Sequence, residues 1–436
     1  MKQRVKEIAS IVGFVTIIIV ICAVFGEMLT PITYATYFNH DMELVKESET
    51  EVDLVLIGAS RTYRHFVPSV IEEVNGYKCV INAGSSSQSL SGTYYQLKDL
   101  LVDHKVKEVG IDVHSGSLLD GENQTAKLIV LDRLKGIVKG EFIQACFPGE
   151  ELLWASDMYR YRNSVTGIMG THRAMKALKA SDYAPQMMGN EYYADTGFVY
   201  SYDTWQTGTI PIRSQVIWKE EEIRKENLEY LDKCIELCKE HGVTVFLHTG
   251  VTSMMRMYNS EGIQEMTDYY TEYAKKNGLI YHNYNLLKDR ELIYPDEIMH
   301  DYNHLNGEGA MVFSKIFYEI LEKDLQGIDT SDYFYSSVEE MKQDVRRVVA
   351  VGATVSLDKE SKVISAKDIV SLQNDDIMPE YRLLISLDDT NYEPLTEWSQ
   401  ETELMAAVPK HSGFKVMLRA RTGNEGEAEA FQVWSY

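Results

Sequence analysis

The chain has 436 residues, 66 of them acidic and 43 basic, for a formal net charge of −23. That length allows two or three domains at roughly 100–200 residues each, and so acidic a surface repels phosphate backbones and argues against nucleic acid as a partner. The five cysteines, Cys22, Cys79, Cys146, Cys234 and Cys238, show neither zinc-ligand spacing nor a dense disulfide framework.

The N-terminus carries Lys2, Arg4 and Lys6, after which residues 8–25 hold no charge. Such a run is near the shortest that crosses a hydrocarbon core of roughly 30 Å. The basic residues precede it and the next lysine is Lys46. The positive-inside rule therefore makes residues 1–29 a cytoplasmic tip and single-pass membrane anchor, with the bulk of the chain extracytoplasmic. A cleaved signal peptide is the competing reading, because Ala23 and Gly26 are small residues near the right place. They form no good small-x-small site and the apolar run is long, which favours the uncleaved anchor. Residues 30–50 read as a tether.

From residue 51 the pattern alternates. Short apolar runs bounded by turn residues predict strands over 52–57, 78–81, 108–113, 243–248 and 279–282. Helices are predicted over 68–74, 88–104, 218–241, 262–277 and 306–323. Pro68 suits a first helical turn, and Gly242 and Gly278 suit positions just past a helix. The alternation implies an α/β domain over 51–325, a parallel sheet with helices on both faces. Between about 117 and 213 it fails, in a stretch rich in aromatics that also holds Arg160, Arg162, His172 and Arg173. Two readings stand for this insertion: a lid or substrate groove, or a decoration that packs on the sheet. Over 345–436 short strand-like runs separated by turn residues predict an antiparallel β-sandwich.

Three loop motifs carry the chemistry. The first strand breaks at Gly58-Ala59-Ser60, which puts a hydroxyl at a strand's carboxyl end, where open α/β sheets keep their sites. Asn82-Ala83-Gly84-Ser85-Ser86-Ser87-Gln88 follows the second strand, and glycine there lets backbone amides approach a ligand. Asp301-Tyr302-Asn303-His304 places a carboxylate three residues before a histidine, so one tight turn can hold a general base and its orienter. Each has a plainer reading: a tight turn, a serine-rich helix cap, a capping loop ending at Asn306. A metal site drawn from His300, Asp301, His304, Asp112 and His114 is a further alternative, but it leaves Ser60 and Gly84 unexplained. His248 and His282 read as polar residues at the edge of the core rather than as ligands. No metal and no cofactor is expected.

These motifs resemble the SGNH (GDSL-like) hydrolase superfamily over about residues 51–325. The phrases from Leu56 to Tyr63 and from Asn82 to Leu90 are most similar to its membrane-anchored branch, found beside membrane-bound O-acyltransferases. That branch includes teichoic-acid D-alanyl-transfer and polysaccharide O-acetylation proteins. The resemblance implies a flavodoxin-like three-layer fold with Ser60 as nucleophile, His304 as base and Asp301 as its orienter. It also implies oxyanion donors on the backbone of Ser60 and Gly84. Arg61, Gln88, Arg160 and Arg162 are the expected substrate-binding residues. The implied activity is that of a serine esterase or O-acyltransferase on cell-envelope polysaccharide, with a membrane-bound O-acyltransferase as partner. The family's third motif supplies an asparagine after the third strand, where this chain has Gly110-Ile111-Asp112-Val113-His114-Ser115. His114 or Ser115 is then the substitute donor. Without one, the alternative is a weak or inactive anchored protein that binds glycan and assists assembly. The C-terminal region resembles Ig-like sandwiches appended to extracellular proteins.

Overall fold

The computed structural model describes residues 2–31, 33–48, 51–161, 187–205, 217–288, 298–410, 413–423 and 429–436. The chain begins with one helix, Lys2–Leu29, in which Lys6–Gly26 has a mean hydropathy of 3.0 over 21 residues. At about 1.5 Å per residue that segment is about 32 Å long, enough to cross a bilayer core. Length and composition suit an anchor and a signal sequence alike. From Ile8 to Phe25 its Ile, Val and Phe side chains are exposed among the described residues. At Gly26 the backbone comes close to the body of the chain, where an added Cβ would lie 2.9 Å from Asp157 Cβ.

The tether expected over 30–50 is instead mostly a helix, Tyr34–Glu47. Thr36 Oγ1 accepts the Thr33 amide at 3.1 Å at its start, and Tyr37, Phe38 and Met42 are buried in the main core. The interspersed Asn39, His40 and Asp41 obscure that apolar face in a linear reading.

The α/β domain is built on a five-stranded parallel sheet of β1 (Val52–Ile57), β2 (Val80–Asn82), β3 (Val106–Asp112), β7 (Thr244–Thr249) and β8 (Ile280–Asn283). Between β3 and β7 lies a small antiparallel sheet of β4 (Met187–Met188), β5 (Glu191–Asp195) and β6 (Phe198–Ser201). The parallel order is β2-β1-β3-β7-β8. All the parallel strands fall within two residues of their predicted bounds, because both faces of the sheet are covered and the strands read as apolar runs.

Alternate residues of β1 serve opposite layers. Val55 and Ile57 face the helices Leu90–Asp103, Lys225–Glu240 and Ile263–Asn277 through Leu97, Leu231 and Tyr270. Leu54 and Leu56 face Pro68–Asn75 and Gly307–Leu325 through Ile71, Phe313 and Phe317. Each such side chain contributes about 1.5–3 kcal/mol when fully buried. In chain order this is the flavodoxin-like arrangement, whose switch point lies between β1 and β3. The helix predicted from 218 starts at Lys225; Glu220–Glu222 is a separate 3-10 turn.

The insertion divides. Gln124–Arg133 and Gly136–Cys146 form a small core of their own around Leu131, Phe142 and Trp154, while Tyr193 of the hairpin stacks on Tyr37 at 5.5 Å. Beyond it, β9 (Ala350–Asp358), β10 (Val363–Leu372), β11 (Pro379–Ser386), β12 (Glu393–Pro394), β13 (Leu404–Ala407), β14 (Lys415–Thr422) and β15 (Ala430–Ser435) form two antiparallel sheets. Their orders are β13-β10-β9 and β12-β11-β14-β15, around a core that includes Ile364, Leu383, Val416 and Leu418.

Candidate active site

At the end of β1 the chain turns hard against the end of β3. Gly58 adopts φ 156°, and a Cβ there would lie 2.8 Å from Asp112 Cβ, so only glycine fits without displacement. The turn delivers Ser60 as the first residue of a short helix, Ser60–His65, that the sequence pattern did not announce. At the other end of that helix His65 is fully buried, and its Nε2 accepts the Leu305 amide at 3.2 Å. The element that carries the serine thus grips the loop that carries the histidine.

That loop is closed by a bridge between Met299 and Leu305 and by the His300 amide donating to His304 O at 2.8 Å. Asp301 Oδ1 accepts the amides of Asn303 at 2.7 Å and His304 at 2.8 Å. Its Oδ2 lies 2.8 Å from His304 Nδ1, and His304 Nε2 lies 2.7 Å from Ser60 Oγ. A carboxylate on Nδ1 fixes the tautomer, so Nδ1–H donates to Asp301 and Nε2 is left to accept the Ser60 proton. Burial alone would raise the Asp301 carboxyl, but the bonds from His304 and the Asn303 amide outweigh it and hold its pKa at about 2. The three residues therefore meet in the order a proton transfer needs, with the orienting charge permanently present.

Ser60 opens on a cavity of about 830 Å³ lined largely by polar residues, with Tyr302 and Asn303 of the histidine loop in its wall. His114 and Ser115, at the carboxyl end of β3, form part of its wall. His114 Nδ1 accepts the Gly116 amide at 3.0 Å, which assigns the ring proton to Nε2. Burial, with the Arg61 charge nearby, lowers its pKa to about 3, so the ring is a neutral donor.

Other expected site residues are differently engaged. The Gly84 amide donates to Asn82 Oδ1 at 3.2 Å rather than toward Ser60, because the Asn82 side chain folds back under the loop. Gly84 itself is buried tight against the Ser60 helix, where a Cβ would lie 2.5 Å from the Tyr63 nitrogen. Arg61 is buried and pairs with Asp112 at 3.4 Å. Gln88 borders the cavity, but its amide is held by Ser85 at 2.7 Å and Thr93 at 3.0 Å. Arg160 pairs with Asp157 and Asp132 and donates to Trp154 O, so its charge is spent within the insertion. Arg162, His172 and Arg173 lie outside the described residues.

The residues of the metal alternative are also taken: Asp112 by Arg61, His114 by Gly116, and His304 by Ser60 and Asp301. His300 instead sits near Glu191 and Asp203 and bonds Ser201 Oγ at 2.8 Å. Glu191 already accepts Arg64 Nη2 at 2.6 Å, so this cluster fastens the hairpin to the loop.

Two cavity residues had no signal of their own. Asn303 holds a spacer position in the Asp-x-x-His motif, yet its Nδ2 reaches within 3.4 Å of His304 Nε2. Arg256 lies far from every motif and enters the cavity from the helix Met254–Tyr258, after β7.

No protein-family profile matches the chain, and no curated protein does. Among solved structures it is similar to a GDSL-like lipase from Bacteroides thetaiotaomicron, at 13% identity, covering 67% of this chain and 100% of that one, with a TM-score of 0.31. It is also similar to a two-domain esterase active on acetylated mannans, at 9% identity, covering 92% and 94% of the two chains, with a TM-score of 0.27. At such scores the chemistry has to stand on this chain's own side chains.

Proposed function

We propose that the chain is an SGNH-type serine esterase or O-acyltransferase that acts outside the cytoplasm on cell-envelope polysaccharide. The observation that carries this reading is the alignment of Ser60 and Asp301 on opposite nitrogens of His304, at 2.7 and 2.8 Å, with Ser60 facing a polar cavity. Ser60 Oγ attacks the acyl carbon as its proton passes to His304 Nε2. The oxyanion that forms is met by the Ser60 amide and His114 Nε2–H, the latter replacing the family's asparagine. His304 then protonates the departing oxygen, leaving an acyl-Ser60 ester. Water or a sugar hydroxyl attacks this ester by the same steps in reverse. The apolar N-terminal helix supports a membrane location, and a membrane-bound O-acyltransferase is the partner that would supply acyl groups.

The Gly84 amide, donating to Asn82 rather than to the cavity, favours a second reading as an anchored glycan-binding partner with little chemistry. A fluorophosphonate probe and 4-nitrophenyl acetate separate the two. Labelling at Ser60 and ester turnover, both lost in Ser60→Ala, are expected. Equal turnover by the two forms would sink the esterase reading, and folded protein that takes no label would leave the binding role.

A further inference from the structure

Among the described residues, the cavity beside Ser60 has one arginine in its wall with no carboxylate within ion-pair distance. Arg61 also borders it, but Asp112 cancels that charge. Arg256 has no carboxylate within ion-pair distance among the described residues; it stacks over the Tyr302 ring at 5.5 Å. Its nearest acidic influence is Asp301, which His304 already occupies. The helix that carries Arg256 is fixed to the histidine loop, since Tyr302 O accepts both the amide and the hydroxyl of Ser253, at 3.1 and 2.9 Å. The guanidinium is therefore held in the part of the cavity wall that is fixed to the loop carrying Asp301 and His304. Burial and the Arg61 charge lower its pKa only to about 10, so it is charged at neutral pH.

On a chain of net charge −23, an arginine that faces a polar cavity with no carboxylate partner among the described residues calls for a ligand. Two carboxylates of the wall, Asp120 and Glu222, are the cavity's other acidic groups, and both repel an anion placed beside them. Among the described residues a negative substituent is best placed near Arg256, on the side of the cavity fixed to the histidine loop. A single guanidinium balances a single charge, and its fork matches a carboxylate with two parallel hydrogen bonds.

We infer that Arg256 is a specificity-determining residue that selects esters carrying a carboxylate next to the acyl group, as on an acetylated uronic-acid unit. This rests on the esterase reading of the same cavity and names its substrate class. Arg256 makes no bond to the reacting atoms; it positions the substrate.

The test compares full-length protein in detergent on 4-acetoxybenzoate and its uncharged amide, 4-acetoxybenzamide. In Arg256→Gln the ratio of kcat/KM for the charged over the neutral ester should fall about tenfold or more, with a higher KM for the charged ester. Arg256→Lys, which keeps the charge but not the fork, should fall between. An unchanged ratio in Arg256→Gln would overturn the proposal, whatever happens to the absolute rates. If the wild type hydrolyses neither ester, the esterase reading fails separately, and binding decides. Calorimetry with tetragalacturonate on folded Ser60→Ala should then show association that Arg256→Gln abolishes. No association, or association indifferent to residue 256, would overturn the proposal.

Discussion

Two aspartate–histidine pairs among the described residues have the same separation and lie near cavities of similar size. His304 lies 2.8 Å from Asp301 beside the cavity of about 830 Å³, and His282 lies 2.8 Å from Asp324 beside a groove of about 790 Å³. A hydroxyl approaches each. Ser60 reaches the histidine nitrogen opposite the one that Asp301 holds, so the imidazole stands between acid and alcohol. Thr330 instead crowds the same Nε2 that Asp324 occupies, at 3.3 Å, and gives its own proton to Asp324 Oδ1 at 2.6 Å. The second ring is also pinned flat against Phe334, 4.6 Å away. That pair ties β8 to the end of the helix Gly307–Leu325. Neither cavity volume nor an Asp–His contact marks a site; the decisive feature is which nitrogen each partner takes.

Paired substitutions put this contrast to work. Asp301→Asn removes the carboxylate that fixes the tautomer and should lower kcat on 4-nitrophenyl acetate by about 10⁴-fold. Asp324→Asn should leave turnover near wild type and cost about 1–2 kcal/mol in thermal unfolding. Comparable rate losses in the two variants would break the distinction.

His114→Ala sharpens the first site further. Loss of an oxyanion donor is expected to lower kcat by about 10²–10³-fold, and His114→Gln, which retains an N–H, should recover part of it. Identical kinetics in the wild type and the alanine form would remove His114 from the mechanism.

A smaller effect concerns stability. The Asp301 carboxyl sits below its ordinary 3.8, at about 2. A lowered folded-state pKa contributes stability that is complete above the unfolded value and fades as pH falls from about 4 toward 2. The side chain is 32% exposed, so screening limits this to about 1–2 kcal/mol. Wild type should lose its thermal advantage over Asp301→Asn across that interval; a constant difference from pH 6 to 2 would refute the linkage.

Much of the fold was legible because the parallel strands are short apolar runs separated by helices of ordinary length. The parts that were not legible depend on contacts across the sequence. The helix Tyr34–Glu47 is defined by a buried stripe that its polar residues hide, and the hairpin β4–β6 by packing on distant residues such as Tyr37. The meeting of Ser60, Asp301 and His304 was legible because two of the three share one turn and the third lies just past the end of a strand. The environment of Gly84 was not, since an adjacent side chain claims its amide. Basic residues in the insertion looked like substrate ligands, yet Arg160 is spent on Asp132 and Asp157, and among the described residues the cavity arginine with no carboxylate partner is Arg256, from the short helix Met254–Tyr258. Charge in a sequence says little until its partner is known.

The spacing of the first two helices bears on how far apart the N-terminal helix and the α/β domain can lie. A flexible linker over residues 30–50 would give an end-to-end excursion of about 25 Å. Here four residues separate the N-terminal helix from one whose Tyr37, Phe38 and Met42 are locked in the domain core. Were the first helix to span a bilayer, Ser60 would be carried on a short stalk rather than a leash. Its search would then be two-dimensional, and a substrate would have to be presented near the lipid to be reached. Distance from the membrane would then act alongside the shape and charge of the cavity.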